Sequence, residues 1–150
     1  ELLVPSYLLK DHLAGSRLDL DLMSSVKSAF DTSFMMTMRR VITSDHHMGH
    51  FVIYRKDGSR YLFHKNSTLP GSFFPTNTAP EGSKIHDLIL NGIKSSAGEV
   101  DGSVWCREDW ADDATVHEHA FQYHDDMFIS LVWWEDEEPI WQCINSKEGI

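Results

Sequence analysis

Nine histidines in a chain of 150 residues are the first candidates for chemistry. His46, His47 and His50 lie close together, and His46 and His50 would share one face if the segment were helical. His117 and His119 would share one face of a strand, where two imidazoles hold a transition metal if a third ligand converges. Against the first group, Gly49 interrupts a segment that follows a predicted helix end. Histidines in a surface loop and on a half-buried strand account for both groups, so no metal site is expected. Catalytic residues are not expected either. A zinc peptidase motif, His-Glu-x-x-His, needs both histidines one helical turn apart. The nearest match, His117-Glu118-His119-Ala120-Phe121, has Phe in the fifth place and reads as a strand. There is no Gly-x-Ser-x-Gly elbow for a nucleophilic serine, no phosphate-cradling glycine loop, and no catalytic context around Cys106.

The basic residues are more suggestive. Arg55, Lys56, Arg60 and Lys65 cluster with only Asp57 opposing them, and Tyr54, Tyr61 and Phe63 lie among them. Cations interleaved with aromatic rings suit single-stranded nucleic acid, because phosphates pair with the cations while bases stack on the rings. Tyr54, Arg55, Lys56, Arg60, Tyr61 and Lys65 are therefore the candidate binding residues for nucleic acid or another ligand. The plain alternative is a solvated hairpin whose rings pack on the core. The rest of the chain is acidic: 13 basic against 23 acidic residues give a net charge of −10. That balance argues against a protein coating itself with duplex DNA.

The elements that must position these residues follow from periodicity. Pro5 with Leu8, Leu9 and Leu13 predicts one helix, and Leu22, Val26, Ala29 and Phe30 a second. After Asp31-Thr32-Ser33, the spacing of Phe34, Met38, Val41 and Ile42 predicts a third. From Phe51 the period changes. Strands Phe51 to Tyr54 and Arg60 to His64 flank an Asp57-Gly58 hairpin signal. A long loop runs from Lys65 to Gly82, and a short helix carries Ile85, Leu88, Ile89 and Ile93, ending near Asn91-Gly92. Ser103 to Arg107, Thr115 to Tyr123 and Met127 to Trp134 are three further strand candidates, the last two forming a hairpin. Trp133 and Trp134 are neighbours on a strand and must point to opposite faces. The acidic run Glu135 to Glu138 is expected to be a solvated loop. The expected fold is α+β: three N-terminal helices, then an antiparallel sheet of about five strands with a packed helix. No apolar run approaches the roughly 20 residues that span a bilayer, and two cysteines favour a reducing cytoplasm. Whether Cys106 and Cys143 pair is left open.

Particular residues resemble the region downstream of the active site in ImmA/IrrE-type zinc metallopeptidases. Glu1-Leu2-Leu3-Val4-Pro5 resembles the segment following the zinc site; Ala29-Phe30-Asp31-Thr32-Ser33 followed by Arg39-Arg40-Val41 resembles the family's helix–turn–helix passage. Phe51 to Gly58 fits the strand and basic Asp-Gly hairpin that come next. Asp31 stands where the family often has Gly. The resemblance implies a helix-turn-helix-like segment over residues 1–46 and a GAF-like sensor domain over 47–150. It also implies that zinc belongs to the parent peptidase and not to this piece. The start, with neither an initiator Met nor a basic signal-peptide region, is what a piece of a longer protein would show.

The function this implies is a non-catalytic sensor and regulatory domain. Its parent would cleave a helix-turn-helix repressor in a stress, DNA-damage or defence response. Expected partners are the N-terminal peptidase domain, the repressor substrate, and a signal that is either single-stranded nucleic acid at the basic hairpin or a small molecule between the sheet and the Lys65 to Gly82 loop. A structural module that docks the repressor is an alternative. A duplex-DNA-binding domain using residues 19–43 is a weaker one, since that helix begins Phe34-Met35-Met36 and carries its basic pair, Arg39-Arg40, late.

Overall fold

The computed structural model of the chain describes residues 34–43, 48–70, 73, 75–107, 115–124 and 126–148. The two helices expected before Asp31, and with them most of the helix-turn-helix-like segment, lie outside the described residues. Helix α1, Phe34–Thr43, is the third of the expected helices.

Five strands form one antiparallel sheet: β1 Gly49–Arg55, β2 Arg60–Lys65, β3 Ser95–Asp101, β4 Thr115–His124 and β5 Met127–Trp133, in the spatial order β2-β1-β5-β4-β3. The fold is α+β. The β1–β2 hairpin turns at Gly58, whose φ of 87° is the left-handed conformation that an Asp-Gly step supplies without a side-chain clash. Helix α2, Lys84–Asn91, is capped by the Ser83 side chain at its start and stopped by Gly92 at φ 66°. Helix α3, Glu138–Glu148, closes the described chain.

Strands β1 and β5 sit side by side in the sheet and are buried on both faces, which is why Phe51-Val52-Ile53-Tyr54 reads as an unbroken apolar run and Phe128 to Trp133 as one interrupted only by Ser130. On one face, Met38, Val41 and Ile42 of α1 pack against Phe51, Ile53, Ile129, Leu131 and Trp133. Each such side chain is worth about 1.5–3 kcal/mol relative to exposure. On the other face, Ile85 and Leu88 of α2 and Ile140 of α3 cover Val52, Ala120, Phe128 and Val132, together with Leu69 and Phe73 from the long loop. Trp133 and Trp134 fall on opposite faces, as adjacency in an extended chain requires. Helix α1 thus shares a core with the sheet, although it precedes the boundary expected at residue 46.

Two expectations need correction. The third strand is Ser95–Asp101, not Ser103 to Arg107, where Gly102–Val104 forms a 3-10 turn instead. Ser95-Ser96-Ala97-Gly98 lacks an apolar alternation because β3 is a sheet edge with only Val100 buried. Helix α3 was not expected at all; its acidic first turn, beginning at Glu138, disguises a helix whose buried anchor is Ile140. Cys106 and Cys143 are not joined to each other in a disulfide. Among the described residues no helix is long and apolar enough to cross a membrane.

Among the described glycines, Gly49 has the least room for a side chain. A Cβ there would stand 2.4 Å from the Val132 carbonyl oxygen, a backbone atom held in the β1–β5 ladder. Gly49→Ala is therefore expected to cost about 1–3 kcal/mol in urea unfolding, the range for overpacking. Equal stability of the variant and the parent would mean that β1 and β5 are not in this register.

Candidate functional site

The long loop after β2 is fastened to the sheet by side chains from the first hairpin. At its start, Lys65 Nζ donates to the carbonyls of Asn66 at 3.3 Å and Leu69 at 2.9 Å. Further on, Tyr54 Oη donates to the Thr76 carbonyl at 3.0 Å and an Arg60 guanidinium nitrogen to the Pro75 carbonyl at 2.6 Å. An antiparallel bridge joins Ser59 to Thr78. Between these fastenings Phe73 reaches down to the sheet face, its ring edge-on to Trp134 with centroids 5.0 Å apart.

Beneath that contact lies His50, on β1 and fully buried. Its ring meets Trp105 edge-on at 5.3 Å and Trp134 at 5.9 Å. Neither imidazole nitrogen has a hydrogen-bonding partner among the described residues, and neither does the indole Nε1 of Trp134. Burial without compensation holds the His50 pKa down to about 3, so the ring is neutral at physiological pH. Three buried polar atoms on two neighbouring side chains are thus without a partner among the described residues. A buried polar group normally finds a partner, because leaving it unpaired costs about 1–3 kcal/mol.

Register places a second buried polar group in the same row. His50 pairs with Val132, and Val132 pairs on its other side with Glu118 of β4. The Glu118 carboxylate is 2% exposed, yet no cation meets it among the described contacts. It accepts four hydrogen bonds instead: from the backbone N–H of Lys84 at 2.7 Å and Ile85 at 3.0 Å, from Ser130 Oγ at 2.7 Å, and from Trp105 Nε1 at 3.4 Å. The first two are donors left free at the start of α2, where the helix dipole also favours negative charge. Burial raises the Glu118 pKa while these bonds oppose the rise. Trp105 touches both groups, donating to Glu118 and packing on His50.

The six residues expected to bind nucleic acid are split by the structure. Tyr54 is buried, its hydroxyl pushed up to about 12 by burial, and it is not placed to stack a base. Arg60 and Lys65 serve the loop, and the Arg60 guanidinium also lies 4.8 Å over the Phe63 ring. Arg55, Lys56 and Tyr61 face solvent, with the Arg55 guanidinium 5.1 Å over the Tyr61 ring. Of the histidines, His46 and His47 lie outside the described residues. His117 stacks on Trp133 at 4.6 Å and meets Glu135 at 3.1 Å, and His119 meets Ser95 at 3.1 Å. No cluster of three metal-ligating residues occurs among the described residues. Sequence reasoning missed Glu118 and undervalued His50. The available signal was parity: His50, Val52 and Tyr54 alternate onto one face, so a histidine at the head of that series must be inside.

Comparison with known proteins returns no match, whether with family models, curated proteins or solved structures.

Two outcomes follow from the buried groups. Between its ordinary value of 6.5 and about 3, residue 50 is protonated in the unfolded chain and neutral in the folded one. Its contribution to stability is therefore complete above pH 6.5 and lost as the pH falls, at about 1.4 kcal/mol per pH unit. His50→Phe should remove that slope from urea unfolding curves measured across the window; an unchanged slope would mean that the ring is solvated. Glu118 has the opposite sign, since its raised pKa makes its contribution fall as the pH rises through and above the ordinary carboxylate value. Glu118→Gln turns an amide N–H₂ toward backbone donors, so it should cost about 1–3 kcal/mol at pH 7.

Proposed function

We propose that this chain is a non-catalytic sensor domain of an ImmA/IrrE-type zinc metallopeptidase, and that its signal is a small molecule held between the sheet and the Lys65 to Gly82 loop. The observation that carries the choice of signal is the buried trio of unpartnered polar atoms on His50 and Trp134. A core that served packing alone would be more stable with an apolar residue at position 50, because an unpaired buried donor or acceptor is costly. The five-stranded antiparallel sheet with packed helices agrees with the GAF-like domain that the sequence resemblance implies. The loop that covers the niche is longer than most connections inside a compact domain, and loops of that kind commonly serve binding.

In this reading the domain biases its parent peptidase between two states, which a ligand does only by binding one state better than the other. The path from the niche to the rest of the fold runs through Trp105 to Glu118 and the start of α2. Zinc and the hydrolytic step belong to the parent, whose substrate is a helix-turn-helix repressor in a stress, DNA-damage or defence response.

A second reading keeps single-stranded nucleic acid as the signal. It is favoured by the solvent-facing pair of Arg55 and Tyr61, with Lys56 beside them, since a half-exposed ring next to cations can stack a base.

One pair of experiments separates the two. A panel of small metabolites is screened by thermal denaturation and tryptophan fluorescence; a true signal raises the melting temperature of the parent chain and leaves His50→Phe unchanged. In parallel, a labelled single-stranded oligonucleotide is titrated by fluorescence anisotropy against the chain and against an Arg55→Ala/Lys56→Ala/Tyr61→Ala variant, which leaves the loop fastenings intact. Salt-sensitive binding lost in the triple variant, with no metabolite hit, would replace the small-molecule reading with the nucleic-acid one.

A further inference from the structure

We propose that the outer edge of β3 is a docking site for an extended, basic segment of a partner protein, which joins the five-stranded sheet as a further strand. The proposal does not depend on the nature of the signal.

The two edges of the sheet are treated differently. Strands β2 and β3 are its edges. An edge presents N–H and C=O groups that another chain can use, and proteins blunt it with cover, lysines, prolines or bulges. Strand β2 is defended. The Arg60 N–H donates to the Asn77 carbonyl at 2.7 Å, Ser59 bridges to Thr78, and the strand begins on Arg60 and ends on Lys65. Strand β3 has none of these devices. Ser95–Asp101 contains neither Lys nor Pro, and its ladder with β4 runs without a register shift. Apart from that ladder, its hydrogen bonds among the described residues are those of the Ser95 and Asp101 side chains.

The phase of the ladder fixes which groups are offered. The Gln122 N–H donates to the Lys94 carbonyl at 2.9 Å, and opposed residues in an antiparallel ladder alternate between bonded and non-bonded pairs. With Ser96 opposite Ala120 and Gly98 opposite Glu118, the residues bonded to β4 are Lys94, Ser96, Gly98 and Val100. The backbones of Ser95, Ala97 and Glu99 therefore turn outward, to the open edge. Their side chains share the sheet face of His117 and His119.

The side chains set the chemistry of the added strand. A residue directly opposite Glu99 lies on the same face as its carboxylate. Glu99 is exposed, and its neighbour across the ladder, His117, already meets Glu135 at 3.1 Å. A lysine or arginine in the added strand gives Glu99 an opposite charge, and Ala97 and Ser95 leave room beside it. The net charge of −10 draws basic segments toward the chain. On the other face Gly98 has no side chain, and Lys84 Cε lies 3.5 Å from where a Cβ would stand, so uncharged residues belong there. Ile93, exposed just before the ladder, adds apolar contact. A strand alternating basic and apolar residues satisfies both faces. A second copy of this chain fits less well. Pairing β3 with itself places opposite Glu99 a residue of the same outward-turned set, which holds no cation, and the two net charges repel.

The test titrates the isotope-labelled full chain, at low salt, with the peptide acetyl-Thr-Lys-Val-Lys-Val-Lys-Thr-amide and follows amide hydrogen exchange by NMR. Exchange of the Ser95, Ala97 and Glu99 N–H groups should slow at least about tenfold, with the β2 amides unaffected. Replacing the peptide's lysines by glutamate should weaken binding at least about fivefold. Lysine opposite Glu99 must turn its own N–H toward β3, so N-methylation of the lysine amides should abolish binding and N-methylation of the valine amides should not. Glu99→Lys changes an exposed side chain and should reverse the preference between the two peptides. Equal binding of both peptides, protection that appears away from β3, or no binding at millimolar concentration would overturn the proposal. Slow exchange at Ser95, Ala97 and Glu99 without peptide, together with a dimer in sedimentation, would put a second copy in the partner's place.

Discussion

A carboxylate buried without a cation governs how this fold is assembled. Glu118 stands on a strand, yet its four hydrogen bonds come from the start of α2, from Ser130 on β5 and from Trp105 beyond the 3-10 turn. Three elements are thereby fixed relative to β4 by one side chain. The cost of desolvating the charge is offset in part, because four donors meet the carboxylate and two of them lie at the positive end of a helix. Val132 fills the gap between this carboxylate and His50, so the row across β1, β5 and β4 alternates polar, apolar, polar.

That row divides the sheet face into a solved and an unsolved half. At Glu118 every polar atom is met, and the group serves the architecture. At His50 nothing meets the imidazole, although it lies equally deep and shares Trp105 as a neighbour. The same face of the same sheet shows that the fold can satisfy a buried polar group fully. The unmet demand at His50 is therefore a local property of the niche under the loop, not a symptom of loose packing.

The first hairpin links the niche to the surface. Its two strands supply Tyr54, Arg60 and Lys65 to hold the loop down, and Arg55, Lys56 and Tyr61 to the solvent. A basic cluster that resembles a nucleic-acid surface in one dimension is in space a set of loop fastenings with a smaller exposed remainder.

The sequence by itself determined the elements whose residues carry their own instructions. The 3.6-residue spacing of Phe34, Met38, Val41 and Ile42, the Asp57-Gly58 turn, the Asn91-Gly92 stop and the apolar residues of β1 and β5 are local signals, and each led to the element observed. Where an element's stability came from its neighbours, local signals failed. Polar β3 exists because β4 offers it a ladder, and α3 exists because Ile140 finds a place in the core. The site belongs entirely to this second class. Glu118 is 34 residues from its Lys84 donor, and His50 meets tryptophans far along the chain, so their roles arise only when strand register brings those positions into one row. Hydrogen bonding is satisfied or left wanting in three dimensions, and no spacing along a chain reveals which.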